Sequence, residues 1–119
     1  MAVTVNNLQP GEFGFILNAT SADVSGCEEL KAAPGAGKNI ILDTLSISTG
    51  AAIDITIGEG ETTGAVTTAL IGPVTMAEDQ TVQFDFRGRG GMILTANTSL
   101  TVDASGAGAV CVVCCGRVK

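Results

Sequence analysis

The stretch "NIILDTLSISTGAAIDITIG" (39–58) decides the fold. In its second half Ile53, Ile55 and Ile57 alternate with Asp54 and Thr56. A period of two is what a strand needs to bury one face and wet the other. In its first half Ile41, Leu45 and Ile47 share one parity, and Ile40 and Leu42 the other. That predicts a strand whose first part is covered on both faces. Ser48-Thr49-Gly50 is the turn between the two strands.

The same short-strand rhythm runs outward in both directions. Upstream lie "EFGFILNA" (12–19), a small polar loop (20–27), and "CEELKAA" (27–33), which suits one helical turn or a short edge strand. Downstream come "AVTTALIG" (65–72), a connection through Pro73, and "QTVQFDFRG" (80–88) with Val82, Phe84 and Phe86 inward. "MILTA" (92–96), "SLTVDA" (99–104) with Leu100 and Val102 together, and "AGAVCVVCCGRV" (107–118) complete the series. Turn clusters recur every ~8–12 residues, and no segment keeps a helical period.

A chain of 119 residues with 45% apolar content holds one core. Sixteen glycines and many Val and Thr residues favour strands and turns. The expected fold is all-β: a single antiparallel β-sandwich or jelly roll of about eight strands over residues 11–119. Residues 1–10 form an N-terminal arm or first strand, a segment of the kind that adds a strand to a neighbour through Val3, Val5 and Leu8.

Twelve acids against six bases give a net charge of −6, which opposes nucleic acid and anionic membranes. No apolar run reaches the ~18–20 residues of a membrane helix. The N-terminus has neither a basic residue nor an apolar block and does not read as a signal peptide. Synthesis in a reducing cytoplasm is therefore expected, with the cysteines as thiols.

The chain has no His, so Ser-His-Asp and Cys-His chemistry is excluded. Glu59 and Glu61, and Glu78 beside Asp79, are the carboxylate pairs. Sugar sites normally add aromatic platforms, and there is no Trp or Tyr, so these acids read as solvated turn charges. "PGAGKN" (34–39) fails as a phosphate loop: Ala32 and Asn39 stand where Gly and Ser or Thr are required, and a strand follows instead of a helix. "RGRGG" (87–91) reads as a hairpin connection, with Arg87 and Arg89 free to meet a partner's carboxylates.

Cys111, Cys114 and Cys115 invite a metal or redox site, with Cys27 as the fourth ligand. Strand geometry argues against it. Cys111, Val113 and Cys115 would share one face, and Val112 and Cys114 the other. Cys111 and Cys115 would lie about 13 Å apart. These residues read as strand thiols, with a structural zinc on Cys27, Cys111, Cys114 and Cys115 or a disulfide through Cys27 or a neighbouring subunit as the lesser alternatives, and no cofactor or catalytic residue is expected.

Two longer blocks carry a resemblance: "APGAGKNIILDTLSISTGAAIDITIGEGE" (33–61) and "LIGPVTMAEDQTVQFDFRGRGGMILTANTSLTVDASGAGAVCVVCCG" (70–116). A Pro-Gly-x-Gly-Lys turn before "LDTLSIS", the "ITIGEGE" strand and turn, "GPVTM" and "ILTANTSLTVDASGAGAV" make the chain similar to small β-sandwich virion proteins of tailed bacteriophages, of the capsid decoration or cement type. The resemblance implies a jelly-roll homotrimer on the capsid surface that binds the major capsid protein and bridges its subunits. The alternative is a tail- or fibre-associated ligand- or receptor-binding module. The cysteine-rich last strand lies outside that pattern. A mean hydropathy of +0.42 fits an assembling protein, because it implies apolar surface for self-association to cover.

Overall fold

The computed structural model describes residues 4–9, 14–21, 28–60 and 68–119. Among them are ten strands: β1 (Thr4–Gln9), β2 (Phe15–Ser21), β3 (Glu28–Lys31), β4 (Ile40–Thr49), β5 (Asp54–Glu59), β6 (Ala69–Thr75), β7 (Gln80–Asp85), β8 (Met92–Ile93), β9 (Leu100–Ala104) and β10 (Val110–Val118). One 3-10 turn spans Arg87–Arg89. "CEELKAA" resolves as an edge strand over its described part, β3.

The strands form two antiparallel sheets. The larger runs β1-β2-β10-β4-β7, with β8 also against β4, and the smaller runs β3-β9-β5-β6. β7 meets β4 at Thr44–Thr49, and β8 meets the same side of β4 at Ile41 and Leu42. They are one interrupted lane. Counted as lanes, β2-β10-β4-β7/β8 faces β3-β9-β5-β6, which is the jelly-roll arrangement. Adding β1 at the edge beside β2, and splitting the β7/β8 lane, turns eight lanes into ten strands.

The two inner faces make the core. The larger sheet contributes Leu17, Leu42, Leu45, Ile47, Val112 and Cys114, and the smaller contributes Leu30, Ile55, Ile57, Leu100 and Val102. The expected inward alternation of Ile53, Ile55 and Ile57 holds, and Val82, Phe84 and Phe86 pack against this core from the edge lane. The Phe84 and Phe86 rings stack with centroids 6.3 Å apart.

Covering on both faces of early β4 also holds, through a bulge. Thr44 pairs with Cys115 and Leu42 with Gly116, so Asp43 is an extra residue in β4. The bulge resets the parity. Ile40 and Leu42 point inward before it, Leu45 and Ile47 after it. Ile41 is left pointing outward, yet it is buried.

Its cover is the segment 86–91, where the structure departs from the expected hairpin. The flanking strands do not pair with each other, because both are bonded to β4. The segment is an excursion from one lane. It leaves where the Phe86 N–H donates to the Asp43 carbonyl (2.8 Å). It returns over Ile41 through Gly91, whose φ of +95° and contact with Ile41 leave no room for a side chain. The Pro73 connection also differs: Pro73 lies within β6, an edge strand, where a missing N–H costs no ladder bond.

Opposite the bulge, a Cβ on Gly116 would run into the Ile41 carbonyl and press on the Phe15 ring. Gly116→Ala is therefore expected to destabilise the fold by about 1–3 kcal/mol or more. Gly88→Ala, with open space around it, should change stability by less than about 0.5 kcal/mol. Urea denaturation of both variants checks the contrast.

Candidate functional site, the outer face of the large sheet

β10 is the central strand of the large sheet and sorts its side chains cleanly. Val110, Val112, Cys114 and Val118 are buried. Cys111 and Cys115 are half-buried and Val113 is exposed on the outer face. This is the expected division of the cysteines. Register carries the outer face across the neighbours: Cys111 lies between Thr20 and Ser48, Val113 between Asn18 and Ser46, and Cys115 between Ile16 and Thr44. β7 extends those rows with Thr81, Gln83 and Asp85.

Short contacts tie the rows together. The Cys115 thiol and Thr44 hydroxyl share a hydrogen bond of 2.8 Å, as do the hydroxyls of Ser48 and Thr81 (2.8 Å). The Cys111 thiol donates to Asn18 Oδ1 at 3.3 Å. Two shallow grooves open on this face. One, of about 470 Å³, lies by Thr20, Ser48, Asp79 and Cys111. The other, of about 450 Å³, lies by Ser46, Gln83, Arg87 and Val113.

At one end of the face Asp43, Asp85, Arg87 and Arg117 are paired with one another, while Asp79 borders the groove at the other end. Arg117 donates to Asp43 Oδ1 (2.6 Å) and to the Gly90 carbonyl (2.7 Å), clamping the 86–91 excursion onto the sheet. Arg87 makes a two-pronged contact with Asp85, Nε to Oδ1 at 3.0 Å and Nη2 to Oδ2 at 2.8 Å. That contact lowers the Asp85 pKa to about 2 and raises that of Arg87. Arg87, expected to meet a partner, is thus engaged within its own chain. Arg89 is exposed on the same 3-10 turn. Val5 and Leu8 lie on β1, and Val3 lies outside the described residues.

The geometry does not gather the metal candidates. Cys114 points into the core while Cys111 and Cys115 point out, and Cys27 lies outside the described residues. Among the described residues, no group of three His, Cys, Asp or Glu side chains is placed to hold a metal.

Glu59 corrects the reading of the acidic turns. It is not a solvated charge: only 9% of it is exposed. Its carboxylate accepts from Thr95 N–H (2.7 Å), Thr95 Oγ1 (2.6 Å) and Thr98 Oγ1 (3.3 Å). It staples the loop between β8 and β9 to the end of β5. Its expected partner in a carboxylate pair, Glu61, lies outside the described residues. Glu78 and Asp79 sit on the exposed turn before β7.

Sequence reasoning missed what the three exposed large hydrophobics among the described residues have in common. Ile16 (36% exposed), Val113 (38%) and Ile93 (64%) all lie on this outer face, Ile93 as the cross-strand partner of outward Ile41. The parity of β2 and β10 could have found the first two. The position of Ile93 depends on the excursion and has no local signal.

No family model matches the chain. No curated protein matches it. Among solved structures, it is similar to the cupin domain of Schizosaccharomyces pombe Cnp3, at 11% identity and a TM-score of 0.44. The match covers 98% of this chain and 61% of that one, so the chain spans about three fifths of that structure's length.

Burial, with a smaller contribution from neighbouring Cys115, pushes the Cys114 pKa from 9.0 up to about 12. Above pH 9 the unfolded chain releases this proton and the folded chain keeps it. Stability should therefore fall as pH rises from 9 to 12, the unfolding constant growing by up to about tenfold per pH unit. Cys114→Ala should remove that slope, read by denaturation at several pH values. In dilute native protein, iodoacetamide should label Cys111 and Cys115 and spare Cys114, as peptide mapping would show. Separately, Glu59→Ala removes the buried acceptor of the Thr95 N–H and of the Thr95 and Thr98 hydroxyls and should cost about 1–3 kcal/mol, with Glu59→Gln costing less. Thermal unfolding of the two variants checks this.

Proposed function

We propose that the protein is a structural, non-enzymatic virion component, a capsid decoration or cement protein that self-associates as a homotrimer on the phage head. It binds the major capsid protein and stabilises the shell by bridging capsid subunits. The observation that carries this reading is the outer face of the large sheet, broad and free of unpaired charge across its centre. Such a face is suited to protein contact and poorly suited to catalysis, which needs convergent titratable groups. The internal use of Glu59 and the separation of the cysteines support the same reading. So does the sequence resemblance to decoration proteins, which also supplies the trimer.

The energetic role is multivalent. Each copy contributes a modest contact, and many copies bound to the assembled shell stabilise it by mass action. Cryo-electron microscopy of the native virion tests this. The expected result is density for this jelly roll on the head, over junctions between capsid subunits, and a lower temperature of genome release in particles lacking it. Localisation to the tail or fibre would overturn the reading in favour of a receptor-binding module.

A further inference from the structure

Three properties converge on the outer face of the large sheet. The first is apolarity. Ile16, Val113 and Ile93, the exposed large hydrophobics among the described residues, all lie there. The second is charge. The chain carries −6, yet the centre of this face is Thr, Ser, Asn, Gln, Cys and Val, and the charges at its end are closed into the Asp43–Arg117 and Asp85–Arg87 pairs. Of the other acids, Glu28, Glu29, Asp54 and Asp103 lie on the smaller sheet, and Glu78 and Asp79 lie on the turn before β7, where Asp79 borders the groove at the edge of this face. The third is size. Five lanes at about 4.8 Å, along a strand of about 30 Å, offer roughly 700 Å², close to the ~800 Å² per partner of a stable interface.

We infer that this outer face, centred on Val113, is a self-association surface covered by a second copy of the chain. The argument for a copy is electrostatic. Two chains of the same negative charge repel wherever their acids meet. This face is where a copy can dock without meeting like charges across the centre of the contact. A basic partner would instead be drawn to the acids of the smaller sheet. Cys111 and Cys115 flank Val113 on the same strand, so both thiols would be shielded in the contact.

The inference rests on the reading of the chain as an assembling virion protein, and the test separates the two. Sedimentation velocity of the full chain from about 1 to 100 μM is run for wild type, Val113→Asp and Ser46→Lys. Both substitutions replace outer-face side chains, and circular dichroism confirms that they fold. Thr56→Lys, on the outer side of the smaller sheet, is the control. Wild type is expected to associate, and each face variant to weaken association at least about tenfold, while the control associates as before. Iodoacetamide labelling of Cys111 and Cys115 should slow as wild-type concentration rises and stay constant in Val113→Asp. A dimer and a trimer alike support the inference. Wild type that stays monomeric at 100 μM overturns it, as does association unchanged in both face variants. Self-association with no binding to phage heads supports the inference and overturns the decoration reading. Head binding by a strictly monomeric wild type does the reverse.

Discussion

The extra residue at Asp43 is the constraint on which the large sheet turns. A strand has one parity, and a ten-residue strand in a two-layer protein would normally commit one parity to the core. β4 holds Ile40, Leu42, Leu45 and Ile47 in the core, an assignment that requires one change of parity. The bulge makes that change, and both neighbours adapt to it. On one side β10 presents Gly116, which lets the two backbones approach. On the other the β7/β8 lane breaks and detours through 86–91. The detour then covers Ile41, the side chain the bulge turned outward, and Arg117 reaches from β10 to hold it. One inserted residue accounts for a glycine on β10, a 3-10 turn between β7 and β8, and an ion pair between β10 and β4.

What the sequence made legible follows from the same distinction. Alternation within a strand is local, so the inward Ile53, Ile55 and Ile57 and the division of Cys111 and Cys115 from Cys114 could be read directly. Pairing between strands is not local. "RGRGG" has the composition of a hairpin turn, and nothing in it says that both flanking strands are bonded to β4. Glu59 sits in a Gly-rich turn sequence, and its partners Thr95 and Thr98 are 36 and 39 residues away. Its burial could not be read from its neighbours. The outer face was half legible: parity put Val113 with Cys111 and Cys115, but its neutrality depends on which strands flank β10.

The sheet edges and the sheet faces differ in what they offer to another chain. β3 is four residues long and carries Glu28, Glu29 and Lys31, β6 carries Pro73, and the β7/β8 edge is interrupted by the excursion. Each device discourages strand addition. β1, the remaining edge, is an uncharged six-residue strand and keeps the geometry for pairing with a neighbour. A sandwich with three blunted edges has its broad faces left for contact, and the two faces differ in kind.

That difference gives the domain a polarity that a monomeric β-sandwich does not need. The larger sheet turns hydroxyls, thiols and aliphatic side chains outward, while Asp54 and Asp103 belong to the smaller one. A neutral face tolerates a like-charged copy, and an acidic side repels one but attracts basic surfaces. The thiols fit this division. Cys and Thr side chains are small enough to leave the sheet flat, and their hydrogen bonds to Asn18 and Thr44 keep polar atoms satisfied without adding charge. The cysteines of β10 divide in the same way, with one thiol in the core and two half-buried on the neutral face.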